Sequence, residues 1–368
     1  MNFRLATKPL NDSLSLGIIN GNINNYYKRS CIAQICAHKD KLVINLEASR
    51  IVTEIVLKGS GDSDEPVTTF VSCLLLKQLV STFTSAVTEL EFLDGGLVLH
   101  SGNSKFSLPK LDIDASTTSL NKPSKDNING NVNTIDKADW KFVKDNQMYA
   151  IAMSFAHPVY TRVWVGKNGD VLVSDFDNGL FTHSEKSKLN KTCLLSDTII
   201  NLFNAVPEET KIAEVEDKYI IDINNDSYSL RSEFIPELET DEGIGSYNSD
   251  IIIETMLHNE ATAISIPTAE ISKFLSQADI LSTGSEASII FNVQSDKLTL
   301  KDDNTDCKII LQSPAKYEFE AEFKTSLLKS MLSSYSGDKL DICPTLQGQE
   351  VTGICVWDDQ LTTVLASL

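Results

Sequence analysis

An α+β fold made of one repeated unit, an amphipathic helix followed by a small antiparallel meander, is what the sequence predicts. Three observations predict it. Along the whole chain the apolar spacing alternates between the 3.6-residue period of a helix and the two-residue period of a strand. The alternation returns roughly every 50 to 75 residues, giving six copies. Two polar stretches, residues 114–136 and 236–243, divide the six copies into three pairs.

The clearest copy runs from Phe70 to Leu111. Leu75, Leu76, Leu79, Val80 and Phe83 recur on one face of a helix, with Lys77 and Gln78 turned elsewhere. The period then falls to two. Glu89, Glu91 and Asp94 interleave with Leu90, Phe92 and Leu93, and Asp94-Gly95-Gly96 supplies a hairpin turn before Leu97, Val98 and Leu99. Gly102-Asn103 supplies another turn before Phe106 and Leu108, so a half-buried sheet backed by one helix is expected.

The other copies follow in order. Residues 2–6 read as a strand, Leu10, Leu14 and Ile18 as a helix, and residues 31–37, 41–46 and 51–57 as three strands. Residues 114–136 are rich in Asn and Ser and poor in large apolar side chains, which predicts a boundary that does not pack into a core. Beyond it Met148, Ile151, Ala152 and Phe155 fall at helical spacing, followed by strands at 161–165 and 171–174. A second helix carries Ile199, Leu202, Phe203 and Val206 and stops at Pro207, ahead of strands at 211–215, 219–223 and 227–231. The acidic run from Pro236 to Gly243 reads as a solvated linker. The last pair has helices carrying Ile271, Phe274, Leu275 and Ala278, then Phe323, Leu327, Leu328, Met331 and Leu332, each trailed by three strands. Three domains result, at residues 1–118, 137–245 and 248–368. One helix and about three strands cannot bury both faces of a sheet, so two copies should share each core, with sheets outside and helices together. Domains of that build joined edge to edge would form an annulus.

Composition bounds the function. A chain of 368 residues should hold two or three domains of roughly 100 to 150 residues, and 42% apolar with 23% charged residues is ordinary for a soluble globular protein. It has no run of about 18 apolar residues and no basic-then-apolar leader, so a cytoplasmic protein with no membrane attachment is expected. The seven cysteines are odd in number and scattered, which predicts buried thiols, and Cys31 and Cys36 lack the second pair a zinc site needs. A net charge of −19 repels phosphate at long range and argues against a wide basic surface. It leaves open a protein that encloses DNA with a local lining of Lys and Arg.

The residues Ser104-Lys105-Phe106-Ser107-Leu108-Pro109, following Val98-Leu99-His100-Ser101-Gly102, resemble the SGRSRFSL segment that ends the first domain of the bacterial-type sliding clamps, the beta subunits of replicative DNA polymerases, whose members include divergent phage-encoded forms. Ala278-Asp279-Ile280-Leu281 and Phe323-Lys324-Thr325-Ser326-Leu327-Leu328 are similar to segments of the third domain, and the length fits nearly end to end. The resemblance implies three tandem clamp domains, each of two helix-plus-meander units, with helices lining a ring and antiparallel sheets outside. Two subunits would close head to tail into a homodimer, with Phe106 and Leu108 of one packing on Ile280 and Leu281 of the other; ordinary core positions would account for the same four residues. The ring would encircle double-stranded DNA without regard to sequence, through Lys28, Arg29, Lys77, Lys141, Lys144, Lys273, Lys324 and Lys329, most of them read as lying on the lining helices. Surface lysines on helices are also commonplace.

The family's apolar cleft between domains two and three receives a peptide from DNA polymerase and from the ATP-dependent clamp loader. Its TDGHRL-like motif corresponds here to Ser174-Asp175-Phe176-Asp177-Asn178-Gly179-Leu180-Phe181, without the basic pair. Phe176, Gly179, Leu180, Val364 and Leu365 are the implied cleft residues. No catalysis, cofactor or metal is implied. The five histidines are isolated, and no phosphate loop, HExxH or GxSxG is present. Asp175 and Asp177 could hold a metal as a DxD pair, but acidic residues are routine in a turn. A β-rich structural protein, such as a virion component, would share the repeated sheets but would not need six amphipathic helices with outward lysines.

Overall fold

The computed structural model describes residues 1–17, 32–48, 51–111, 120–125, 132–135, 140–141, 143–144, 162–174, 178–183, 189, 191–208, 210–237, 249–250, 262–281, 288–302, 306–311, 313–332, 335, 337–347, 350–358 and 361–367. The contacts cluster into two units. Unit 1 comprises Met1–Lys137 with Asp197–Pro236, and unit 2 comprises Ala138–Ser196 with Glu237–Leu368. The segment read as a middle domain is thus shared between them.

Unit 1 contains two antiparallel sheets. The first has five strands in the order β5 (Ser60–Gly61), β1 (Asn2–Ala6), β7 (Val87–Leu93), β8 (Gly96–Ser101) and β9 (Ser104–Pro109). The second has eight, in the order β10 (Val132–Thr134), β15 (Lys211–Val215), β16 (Lys218–Asn224), β17 (Tyr228–Phe234), β4 (Ile51–Lys58), β3 (Lys41–Ala48), β2 (Ile32–Ala37) and β6 (Val67–Ser72). Alternation does the work in both. In β4, Ile51, Thr53, Ile55 and Leu57 are buried and the residues between them are not, so one face meets the helices and the other turns outward. The turn between β7 and β8 needs glycine: Gly96 has φ 144°, and a Cβ there would lie 2.2 Å from the carbonyl oxygen of Leu108.

The helices of unit 1 are α1 (Thr7–Gly17), α2 (Cys73–Ser81) and α3 (Asp197–Ala205). In α1, Leu10 and Leu14 are fully buried, and the helix packs on α2, β4 and β17. The Ser72 hydroxyl caps α2 by accepting from the Leu75 N–H. The helix ends at Ser81, so Phe83 lies beyond it and stacks on Phe106 of β9 instead, ring centroids 5.5 Å apart. In α3, Ile199, Ile200, Leu202 and Phe203 face the core, each burial stabilising by roughly 1.5–3 kcal/mol.

Unit 2 also contains two antiparallel sheets. Eight strands run in the order β14 (Cys193–Ser196), β11 (Arg162–Val165), β12 (Asp170–Ser174), β13 (Gly179–His183), β25 (Leu361–Ala366), β24 (Glu350–Trp357), β23 (Lys339–Gln347) and β18 (Ile264–Pro267). Four run in the order β21 (Asp306–Ile310), β20 (Lys297–Lys301), β19 (Ser288–Gln294) and β22 (Phe319–Lys324). The helices are α4 (Thr268–Leu281) and α5 (Thr325–Leu332), which pack on each other through faces that bury Ile271, Phe274 and Leu275 on one, Leu328, Met331 and Leu332 on the other. Phe323 and Lys324 belong to β22 rather than to the helix, because Phe319, Ala321 and Phe323 are buried in strict alternation. The helix expected around Met148 to Phe155 lies outside the described residues.

Both polar boundaries make more contacts than their composition suggests. In the first, Leu120, Pro123 and Ile135 are buried and residues 132–134 form β10. In the second, Glu237 pairs with Arg162 at 2.6 Å and bridges the Leu194 backbone. The thiol expectation also fails at one position, since Cys73 is disulfide-bonded. Cys343 and Cys355 are free thiols directly opposite each other on β23 and β24, at 2% and 1% exposure. The hydrogen bond with Cys343, then burial, pushes the Cys355 thiol well above the ordinary cysteine range, so it stays protonated. We expect Cys343 and Cys355 to resist a thiol-alkylating reagent until the protein unfolds, while the half-buried Cys36 reacts in the native state; mass spectrometry with and without denaturant checks this.

Candidate functional site

The helices of the described chain are followed by meanders, and the partners of the last strand in each meander define the surfaces available. In unit 1 the last strand of the first meander, β4, pairs with the last strand of another, β17, over seven residues from Ile51↔Phe234 to Leu57↔Tyr228. In unit 2 the corresponding pair is β13 with β25, through Gly179↔Val364 and Leu180↔Thr363. Two further last strands, β9 and β21, are sheet edges with no strand on their outer side among the described residues. Unpaired backbone groups along an edge are a template for adding another strand.

The side chains on these edges divide by the pleat. Phe106 is half-buried against Phe83, and Leu108 is 3% exposed in the core of unit 1. On β21, Cys307 and Ile309 turn inward while Asp306, Lys308 and Ile310 turn outward, and Ile310 is 83% exposed. An apolar residue on the outer face of an edge strand is the signal that the sequence offered, because Ile309 and Ile310 cannot both face one core. Ile280 and Leu281 close α4, with their side chains outside the described residues.

The lysine set is scattered over several elements. Lys28 and Arg29 lie outside the described residues. Lys77 is half-buried on α2, and desolvation holds its ammonium pKa below the usual lysine value. Lys141 and Lys144 are exposed in the helical residues 140–141 and 143–144, beside the buried Trp140 and Val143. Lys273 is exposed on α4 and Lys329 half-exposed on α5. Lys324 is exposed but ends β22, one residue before α5 begins.

The predicted cleft residues meet at the β13–β25 junction, where period two separates them onto two faces. Gly179 and Val364 share one face; Leu180, at 0% exposure, and Leu365, at 1%, point to the other and are core. Phe176, with Asp175 and Asp177, lies outside the described residues. The face that Val364 occupies also carries a cross-strand row of Trp164, Leu172, Phe181, Thr362 and Trp357. Phe181 and Thr362 in its middle are half-exposed, between two tryptophans at 8% each. Pairing of distant strands makes that row, so spacing within one segment does not reveal it. Among the described residues no group of three or more His, Cys, Asp or Glu side chains could hold a metal, and no helix is long and apolar enough to cross a membrane.

No protein-family model and no curated protein sequence matches the chain. Solved structures do. The DNA polymerase III beta subunit of Thermotoga maritima superposes with a TM-score of 0.75 at 11% identity, covering 100% of this chain and 99% of that one. The DNA polymerase sliding clamp of Bacillus subtilis gives 0.71 at 14%, covering 100% and 99%, and the pol III beta of Caulobacter crescentus gives 0.73 at 16%, covering 100% of both. The chain therefore has the fold of the bacterial sliding clamps over its full length.

Proposed function

We propose that this chain, built on the sliding-clamp fold, is a DNA sliding clamp: a non-catalytic processivity factor that closes as a homodimeric ring around duplex DNA and tethers a DNA polymerase. The observation that carries the proposal is the unfinished pairing of last strands. Two of three possible pairings, β4–β17 and β13–β25, are made within the chain, and β9 and β21 are left as edges. Head-to-tail pairing of β9 with the β21 of a second copy completes the series, and doing it twice closes a two-fold ring in which the last strand of every meander is paired. Phe106, Leu108, Ile280, Leu281 and Ile310 would sit at or beside that seam.

Ring closure makes strong DNA contacts unnecessary. With Lys28, Arg29, Lys77, Lys141, Lys144, Lys273, Lys324 and Lys329 facing phosphates through water, retention is topological and the electrostatic attraction is weak and without register, as sliding requires. The net charge of −19 is compatible with this, since only the lining needs to be basic. An ATP-dependent loader would open the ring, and the half-exposed Phe181, Thr362 and Val364 face would take an apolar peptide from the polymerase or loader. The site of action would be the cytoplasm.

The test is retention on circular DNA. Loaded protein should stay on nicked circles through gel filtration and be lost once the circle is cut. Equal loss from circular and linear DNA would refute encirclement. Charge reversal of Lys141, Lys144 and Lys273 to Glu is expected to speed loss from linear DNA and lower loading. It should also flatten the dependence of log affinity on log salt by up to about 0.9 per phosphate contact removed, measured by DNA-binding titrations at several salt concentrations.

A further inference from the structure

The segment 120–124, inside the polar boundary, is bound across the outer face of unit 1 as an extended peptide. Four strands contribute its partners or lie beneath it. The Leu120 N–H donates to Gln34 Oε1 on β2 at 3.2 Å. The Asn121 N–H and Nδ2 donate to the two carboxylate oxygens of Glu47 on β3, at 3.2 and 2.7 Å. The Ser124 N–H donates to Glu233 Oε2 on β17 at 2.7 Å, and its carbonyl accepts from Arg231 Nη1, also on β17, at 2.7 Å. Leu120 and Pro123 are buried.

These anchors fall on two adjacent cross-strand rows. One row is Glu47, Val52 and Glu233, and the other is Gln34, Asn45, Glu54, Arg231 and Asp222. Between β3 and β17 lies β4, so residues 122 and 123 cross the β4–β17 junction. The lengths agree: two strand spacings are roughly 10 Å, and three extended residues from Asn121 to Ser124 span about the same. Pro123 fixes its own φ and biases Lys122 toward an extended conformation, which suits a strap better than a turn. The anchors are themselves braced. Arg231 makes a paired contact with Asp222 at 2.7 and 2.6 Å, and Lys218 meets the 5%-exposed Glu233 at 2.7 Å.

We propose that Leu120–Ser124 is a staple: a segment of the chain's own linker that holds the β4–β17 seam closed from outside. The seam joins residues 51–58 to residues 228–234, and separating them requires the strap to give up its hold on one side. The Thr53–Ser232 hydroxyl contact at 2.9 Å, buried on the helix-facing side, is the inner counterpart. The polar composition of the strap follows from the role, since its backbone must be read by Gln34, Glu47, Glu233 and Arg231 rather than packed among aliphatic side chains.

Amide hydrogen exchange on the full chain without DNA tests this apart from the clamp reading. Residues 120–124 are replaced by Gly-Ser-Gly-Ser-Gly, leaving every sheet residue in place. The expected result is exchange of the β4 and β17 amides at the seam faster by about tenfold or more, with the β2–β3 and β15–β16 ladders unchanged. Unchanged seam exchange would overturn the staple, because the strap would then be a passenger. Equal acceleration in every ladder of unit 1 would overturn it too, by showing a general packing loss.

Discussion

Substituting Ile310 by Asp is expected to turn a particle of about 81 kDa, twice the 40.6 kDa chain, into a single chain without altering its thermal unfolding. Ile310 is 83% exposed on the outer face of β21, so the isolated chain loses almost no buried area when it is replaced. In a closed β9–β21 seam the same side chain would leave water, and an unpaired carboxylate there carries a desolvation penalty of several kcal/mol. A dimer weakened by about 3 kcal/mol dissociates roughly 100-fold more readily. Light scattering across a concentration series measures this directly. A variant that stays dimeric at the wild-type affinity would remove β21 from the interface, and a monomeric wild type would remove autonomous ring closure.

Phe234→Ala is expected to destabilise unit 1 by about 3–5 kcal/mol, a large share of the 5–15 kcal/mol typical of a folded domain. Phe234 is fully buried at the end of β17. Its ring stacks on Tyr219 of β16 at 5.4 Å and meets Phe203 of α3 edge-on at 5.9 Å. Truncation therefore leaves a cavity and removes two aromatic pairs at once. Phe234 also sits opposite Ile51 on β4, so the damage falls at one end of the seam that the strap crosses. Urea unfolding followed by far-ultraviolet circular dichroism and by tyrosine fluorescence, with Tyr219 among the reporters in unit 1, checks the size of the loss; a change under about 1 kcal/mol would mean that the site collapses around the smaller side chain.

The local build was legible in the chain because period is a local property. The copy from Phe70 to Leu111 forms the elements its spacing predicts, α2, β7, β8 and β9 in order with Gly96 at the hairpin turn, although Leu75 is 46% exposed rather than on the buried face and Lys77 is half-buried. Boundaries failed where two periods overlap: Phe323 suits a helical face and an alternating strand equally, and Phe83 continues the helical spacing past the residue where the helix stops. The candidate surfaces were legible only in part. Of the residues picked on resemblance, Phe106 and Val364 are half-exposed while Leu108, Leu180 and Leu365 are core; the pleat alone separates Val364 from Leu365, and only the sheet order brings Trp164, Phe181 and Trp357 into one row.

By itself the sequence determined the unit: a helix stripe, a meander, turns at Asp94-Gly95-Gly96 and Gly102-Asn103, and the recurrence of that plan along the chain, all of which follow from side-chain spacing over a few residues. Tertiary structure decided which meanders join. Residues 51–57 pair with residues 228–234, and residues 179–182 with 361–364, across separations that no short-range pattern encodes. It also decided that residues 120–124, within a polar stretch, are not loose chain, because the partners that satisfy their backbone come from β2, β3 and β17. Burial and hydrogen bonding of a strap depend on what lies beneath it, and composition describes only the strap.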